Sequence, residues 1–301
     1  MSNITVIRGG AIGDFVLTLP AIDALRRAFP ERRLRLIGRP SILALARVES
    51  IINHDDPRLL PLHREGPIPT ITRQLFAPSD PVLAYAVDPE KRLELQLRKI
   101  VTGPILFCDP RPPAKPLHHI IDHLLTPLRH WDLSTNQNKP RIALDPEDNS
   151  YAETFEAVPQ VIIHPGSGSP DKCWPEANFH TLAKTLKERN WNAVILSGPV
   201  EIERGFAPDP GVEVRPPHLR ALAGLLANAQ LFIGNDSGPG HIAAAVGTPT
   251  ISLFGPTDPR IWAPRGSSSQ VLITQTKRIA DIPISTVIDT ALQVLERNCD
   301  G

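Results

Sequence analysis

Cysteine is scarce in this chain: 301 residues hold three, at positions 108, 173 and 299, with no C-x-x-C spacing among them. An odd, scattered set supports neither a disulfide framework nor a zinc site, and it points to a reducing compartment. Long hydrophobic runs are also lacking, since no stretch approaches the ~20 apolar residues of a membrane span. Ile4-Thr5-Val6-Ile7 follows the N-terminus directly, without the basic, long-apolar, small-residue pattern of a leader. A cytoplasmic protein is expected, with peripheral contact with a membrane surface left open. Charge of one sign is missing too. Lys+Arg and Asp+Glu both count 32, which removes the bulk electrostatic argument for a nucleic-acid partner. The first fifty residues depart from this balance, with eight Arg, no Lys and four acids (Asp14, Asp23, Glu31, Glu49). Solvated helix faces and an anionic acceptor surface account for that surplus equally well.

What is present is globular and punctuated. The length suits two domains of ordinary size. The 33 prolines are about twice the usual fraction; they mark loops, most densely from Pro57 to Pro116. Ile4–Ile7 reads as a strand, Gly9-Gly10-Ala11-Ile12-Gly13-Asp14 as a turn, and Phe15 to Phe29 as a helix by its apolar spacing. Leu34–Ile37 is a second strand, so the opening is a βαβ unit of a parallel sheet. Val82–Val87 and Pro104–Phe107 read as further strands around a helix from Glu90 to Ile100, and Leu117–Leu125 as a short helix. Polar stretches at 134–140 and 146–149 mark a boundary. A second series follows, with strands at Val161–Ile163, Ala193–Leu196, Leu231–Ile233 and Thr250–Phe254. Its helices are Glu176–Arg189, Leu219–Ala227, His241–Val246 and Ile284–Arg297. The expectation is an α/β protein of two Rossmann-like domains, 1–145 and 146–301, with parallel sheets facing across a cleft. The last helix is expected to return to the first domain. In such folds ligands sit at the C-terminal ends of the strands.

Three loops carry candidate chemistry. The first, at 9–14, fails as a dinucleotide fingerprint: G-x-G-x-x-G needs glycine at 8, where Arg8 stands, and the ribose-binding acid after the second strand is replaced by Gly38-Arg39. Asp14 at the helix start reads on position alone as a capping acid worth ~1 kcal/mol. A carboxylate there could also accept a proton from an acceptor hydroxyl. The second loop is His164-Pro-Gly-Ser-Gly-Ser followed by Lys172-Cys-Trp-Pro. Its glycines bring backbone N–H groups close to an anion, and Lys172 offers a point charge; an ordinary loop with a surface lysine looks the same. The third, Gly234-Asn-Asp-Ser-Gly-Pro-Gly240-His241, opens a small-residue helix whose N-terminus is a ready anion site. His241 there could meet a phosphate or merely cap the helix. Gly255-Pro256-Thr257 lies on the same rim. His119 and His123 stand one helical turn apart, but the H-E-x-x-H acid and a third ligand are lacking, so no metal is expected. Asp55-Asp56 is not a D-x-D motif.

In order, these segments resemble the ADP-heptose:lipopolysaccharide heptosyltransferases, glycosyltransferase family 9, of GT-B fold. The resemblance rests on Arg8-Gly-Gly-Ala-Ile-Gly-Asp14-Phe-Val-Leu-Thr-Leu-Pro20-Ala with Phe29-Pro30. It continues in His164-Pro-Gly-Ser with Lys172-x-Trp174-Pro175, Leu196-Ser-Gly-Pro-Val-Glu201 and Leu222-Ala-x-Leu-Leu-Ala-x-Ala229. Gly234-Asn-Asp-Ser-Gly238 with His241-Ile-Ala-Ala, and Pro249-Thr-x-x-Leu-Phe-Gly-Pro-Thr257, complete it. It spans nearly the whole chain, with about 70 residues in the middle, Arg47 to Pro116, poorly matched. The resemblance implies that Asp14 is the general base of an inverting sugar transfer and that Lys172 neutralises the diphosphate leaving group. It implies a donor site built from Gly13, Ser167, Lys172, Glu201 (on the ribose hydroxyls), Asp236, Ser237, Gly238, Gly240 and His241. The implied donor is a nucleotide sugar, ADP-heptose, and the implied acceptor an anionic glycolipid or glycan of the lipopolysaccharide core. No metal or other cofactor is implied. Asp14 and Lys172 weigh against a non-catalytic sugar-nucleotide-binding protein of the same fold. An epimerase or hydrolase would need further acid and base residues, and the broken fingerprint disfavours an oxidoreductase.

Overall fold

The computed structural model describes residues 2–113, 118–203, 205 and 213–299. Pro116, closing the proline-dense stretch, and Leu117, where the sequence pattern starts a helix, lie outside the described residues, as does the side chain of Cys299. The chain divides into two compact units, Met1–Asn138 and Lys139–Gly301.

In the first unit the described strands are β1 (Asn3–Arg8), β2 (Arg33–Gly38), β3 (Ser50–Asn53), β4 (Val82–Tyr85) and β5 (Ile105–Cys108). They form a sheet of order β3-β2-β1-β4-β5, parallel throughout, with Val6 opposite both Leu36 and Leu83. The apolar spacing from Phe15 to Phe29 becomes two helices, Ile12–Val16 and Leu19–Ala28, rather than one. Pro20 has no N–H to donate to the carbonyl of residue 16, so the helical ladder breaks there. The proline-dense stretch is not a surface excursion. Its turns bury Leu59, Leu62, Ile68, Leu75 and Phe76 in one cluster with Leu93 and Leu97 of the following helix and Ile100 just past its end. That helix is described as Arg92–Arg98, shorter than its charged pattern.

The second unit holds β6 (Val161–His164), β7 (Ala193–Leu196), β8 (Glu213–Val214), β9 (Leu231–Asn235), β10 (Thr250–Leu253) and β11 (Ser269–Leu272). Its sheet, also parallel, has order β11-β10-β9-β6-β7-β8, the doubly wound arrangement of a Rossmann fold. Val161, Ile163, Phe179, Leu182, Leu186 and Ile233 pack on one face of it. The final helix, Ile284–Cys299, buries Val287, Ala291 and Leu295 in this same core. The helix expected to return to the first domain therefore spends its apolar face on the second unit.

The second unit begins seven residues before the expected boundary at 145/146, and the reason is local. Ile142 N–H donates to the Ala245 carbonyl (3.0 Å). Arg220, in the helix Leu219–Ala227, reaches back to the buried Asp148 carboxylate, with Nε to Oδ1 at 2.8 Å and Nη2 to Oδ2, and donates to the Ala143 carbonyl at 3.0 Å. Gly224 permits this docking, because a Cβ there would meet the Asp148 carbonyl oxygen at 1.9 Å. Removing one partner of such a pair strands a buried charge. Asp148→Ala is expected to destabilise the protein by about 3–5 kcal/mol in urea unfolding, with part of the loss recovered when Arg220→Met is added. A loss under ~1 kcal/mol would show that the linker is held by other contacts.

Candidate active site

In both sheets the strand order reverses beside the first strand, between β1 and β4 and between β6 and β9. Loops leaving the C-terminal ends of strands at such a switch point form the ligand site of doubly wound folds. The candidate residues lie on these loops.

In the first unit, the turn after β1 needs a glycine at position 10, where φ is +101° and a Cβ would come within 2.7 Å of Asp14 Oδ2. Asp14 lies in the first turn of the helix Ile12–Val16, and its Oδ2 accepts the Ala11 N–H at 3.0 Å. The capping role read from position is therefore real. It uses one oxygen only: the side chain keeps 37% of its surface exposed. Gly13 is half-buried beside it. Beneath sits the buried Arg8 guanidinium, whose Nε donates to Thr18 Oγ1 (2.9 Å) and Nη2 to the Asp14 carbonyl (3.0 Å), with Nη2 3.8 Å from Asp14 Oδ1. Burial lowers the Arg8 pKa, and Asp14, Tyr85 and Cys108 push it back up; an arginine in this balance stays charged at neutral pH. Gly38 stands where a ribose-binding acid would be in a dinucleotide enzyme, and a Cβ there would strike the Arg8 carbonyl oxygen. Burial, with Asp109, pushes the Cys108 thiol up to about 11, so it is no nucleophile at neutral pH.

The N-terminal arginine surplus is partly structural. Arg8 is buried, Arg26 donates to the Ala46 and Arg47 carbonyls, and Arg35 to that of Leu75. His119 and His123 do not converge: His119 Nδ1 accepts the Ile121 N–H at 3.2 Å, while His123 Nε2 lies 2.7 Å from the Asp109 carbonyl. Among the described residues no group of three or more His, Cys, Asp or Glu is placed to hold a metal ion. Nor is any described helix long and apolar enough to cross a membrane.

The second unit gathers the remaining candidates. Asn235, ending β9, is almost fully buried and fastens both ends of the connection after β6: its Nδ2 donates to the Pro165 carbonyl (2.6 Å) and its Oδ1 accepts the Trp174 N–H (3.1 Å). Trp174 is anchored in turn by Nε1 to the Ile282 carbonyl at 3.0 Å and by an edge-to-face contact with Phe179. On this frame Lys172 Nζ lies 2.9 Å from Asp236 Oδ2, which also accepts from Thr257 Oγ1 at 2.8 Å. Ser167 Oγ donates to the Asp236 carbonyl at 2.7 Å. The Asp236 side chain is 8% exposed and that of Lys172 29%, so the carboxylate is buried and the lysine only partly so. Ser237 precedes the helix Gly238–Val246, three residues longer than its apolar pattern, with Gly238 half-buried and Gly240 and His241 buried in its first turns.

Glu201 closes the other side. Its Oε2 accepts the Gly198 N–H at 2.7 Å, and its Oε1 lies 3.4 Å from His164 Nε2. His164 Nδ1 is 3.1 Å from Ser237 Oγ. The Cβ of any other residue at Gly166 would sit 1.5 Å from Glu201 Oε1. Burial pushes the Glu201 carboxyl up, but hydrogen bonds from His164 and the backbone outweigh it and hold it below the ordinary glutamate range. The family resemblance points to Ser167, Lys172, Glu201, Asp236 and Ser237, and the structure brings them together. It misses His164, Thr257 and Asn235, although His164-Pro165-Gly166 at the end of β6 and Thr257 on the next loop mark the positions.

The depressed Glu201 carboxyl has a pH consequence. Its contribution is fully present above the unfolded glutamate value of about 4.3 and is lost as pH falls through the lower folded value. In urea unfolding, wild type should exceed Glu201→Gln in stability between about pH 5 and 7, and the margin should close below about 4. A margin unchanged down to pH 3 would show that charge on Glu201 is immaterial to the fold.

Known proteins are similar in the same places. The family model described as glycosyltransferase family 9 (heptosyltransferase) matches residues 105–288, more than half of the chain. Lipopolysaccharide heptosyltransferase 3 of Escherichia coli is 41% identical over 113 residues, which cover 35% of this chain and 33% of that one. The chain thus matches about a third of the length of this curated relative. Among solved structures, E. coli ADP-heptose lps heptosyltransferase II superposes with a TM-score of 0.78 at 18% identity, covering 98% of this chain and 99% of that one. E. coli heptosyltransferase WaaC with ADP gives 0.71 at 19%, covering 97% and 99%. At such identities the structural likeness establishes the two-Rossmann-domain GT-B fold. With the family match spanning the loops of the second unit, the chain belongs to glycosyltransferase family 9, the heptosyltransferase family.

Proposed function

We propose that this protein is an inverting glycosyltransferase that moves a sugar, heptose from ADP-heptose, to a lipopolysaccharide-core or related glycan acceptor. The observation that carries this reading is the convergence of Lys172, Asp236, Thr257, Glu201 and the N-terminus of the helix Gly238–Val246 at the switch point of the second sheet. Such a site offers a lysine ammonium and free helix N–H groups to a diphosphate. Glu201 and Ser237 would meet hydroxyl and phosphate oxygens beside them. A solved neighbour of the same fold is described as bound to ADP, which supports the choice of nucleotide.

In this reading Asp14 Oδ1, the oxygen not spent on the Ala11 N–H, takes the proton of an acceptor hydroxyl. The acceptor oxygen then bonds to the anomeric carbon as the bond to the diphosphate oxygen breaks, inverting the configuration. Lys172 shifts its ammonium from Asp236 towards the leaving diphosphate, and the N–H groups of the helix start share the charge. These groups supply the leaving-group stabilisation that a divalent cation gives elsewhere, so no metal is invoked. The acceptor is an anionic glycolipid or glycan, and the protein works in the cytoplasm against the inner face of a membrane. Nucleic acid is no partner.

Two variants test the roles. Asp14→Asn keeps an oxygen for the Ala11 N–H but loses the basicity, so transfer should fall ~10²–10⁴-fold with little change in melting temperature. Near-normal transfer would send the search for the base elsewhere. Lys172→Ala should weaken ADP binding by ~1.5–3 kcal/mol in calorimetry, where a charged hydrogen bond is lost. An unchanged ADP affinity would remove Lys172 from the donor site.

A further inference from the structure

His164 belongs to no role assigned above, yet its ring touches both Glu201 and Ser237. It is buried, 5% exposed, stacked on Phe232 of β9 with centroids 6.5 Å apart, and it occupies the last position of β6. Its two nitrogens are both engaged, Nε2 by Glu201 Oε1 at 3.4 Å and Nδ1 by Ser237 Oγ at 3.1 Å. Gly166 leaves room for the carboxylate to come this close.

The hydrogens in this chain follow from what each group is able to do. An ionised carboxylate only accepts, so the hydrogen between Glu201 and His164 is carried by Nε2. A neutral ring then has no hydrogen left for Nδ1, which must accept, and Ser237 donates its O–H to it. In that state the Ser237 hydroxyl points its hydrogen into the protein. It presents only lone pairs at the start of the helix Gly238–Val246, where an anion is favoured by the helix itself. A phosphate oxygen placed there meets another oxygen with no hydrogen between them. A second proton on the ring reverses the order: Nδ1 donates to Ser237 Oγ, and the Ser237 hydrogen turns outward to the ligand. Glu201 is the charged group facing the ring from the loop after β7. Phe232 faces it from β9 without charge, and the Asp236 carboxylate beside Ser237 is engaged by Lys172 and Thr257.

We propose that His164 is the positioning residue of the donor site, and that binding of a nucleoside diphosphate at Ser237 draws a proton from solvent onto the Glu201–His164–Ser237 relay. The proposal rests on the reading of this site as a nucleoside-diphosphate site. It makes Ser237 a phosphate donor only in the protonated state of the relay, so affinity for the diphosphate rises as pH falls.

The test is calorimetric titration of the full chain with ADP at one pH between about 7 and 8, in buffers of different ionisation enthalpy. For wild type the observed enthalpy should vary with buffer ionisation enthalpy, with a slope showing proton uptake approaching one per site. Ser237→Ala, a small change on a half-buried residue, should still bind ADP, within roughly 30-fold, as the loss of one hydrogen bond allows, with the uptake abolished. His164→Gln should abolish it as well. Wild type that binds ADP with no dependence on the buffer overturns the relay and leaves the donor site intact. So does proton uptake that persists unchanged in Ser237→Ala. Wild type that binds no ADP overturns the donor reading itself.

Discussion

Every strand pairing described in both sheets is parallel. A parallel sheet sends all of its strand-to-helix loops to one edge, because each strand points the same way and each crossover returns on the other side. Residues remote in sequence are thereby collected without long side chains or long loops. Lys172, Glu201, Asp236 and Thr257 come from four different connections, yet Lys172 and Thr257 meet on one oxygen of Asp236. The reversal of strand order next to β6 opens the space between those loops. Asn235 then fastens the connection after β6 to the end of β9, since its amide satisfies the Pro165 carbonyl and the Trp174 N–H.

The electrostatics of the two units differ in a way that suits different tasks. In the second unit the charged groups are held in pairs. Lys172 rests on Asp236, and Glu201 is saturated by the Gly198 N–H and the His164 ring. Pairing offsets the cost of burying charge, and on the proposed donor reading an incoming diphosphate exchanges partners with these groups. In the first unit Asp14 keeps an exposed edge, with Arg8 behind it holding the turn through the Asp14 carbonyl and Thr18. The base role proposed for Asp14 requires that access to solvent. Arg220 and Asp148 show the contrast: they form a buried ion pair too, but their contacts go to the linker they fasten.

How much of this was legible in the sequence follows from where each element lies in its sheet. The inner strands β1, β2, β4, β6, β7, β9 and β10 are buried, so they read as apolar runs. The strands that pattern reading passes over, β3, β8 and β11, are all at sheet edges, and most of their residues are only half-buried. Ser269-Gln270-Val271-Leu272 has no apolar face to announce it. The helix break at Leu17–Thr18 was signalled by Pro20, but the regular spacing of Phe15, Leu19 and Ile22 hid it. The proline-dense segment looked like loops because its core residues, Leu59, Leu62, Ile68 and Phe76, follow no helical or strand period.

The site shows the same division between what a residue type announces and what only neighbours create. Asp14, Lys172 and Asp236 are charged residues on glycine-rich turns, where a cap or a surface charge reads the same, and it was the family resemblance that singled them out. His164 ends a buried apolar strand and reads alone as one more core histidine. Its meaning depends on Glu201, 37 positions later, and Ser237, 73 positions later. One local trace of that meeting was on view: Gly166. A glycine two residues beyond β6 could have been an ordinary turn residue, and its φ is unremarkable. It is required because the Glu201 carboxylate fills the space a side chain would take. A glycine set by a neighbour's approach and one set by its own φ, as at Gly10, look identical in a sequence. The difference decides whether a substitution strains a turn or displaces a charged group from the site.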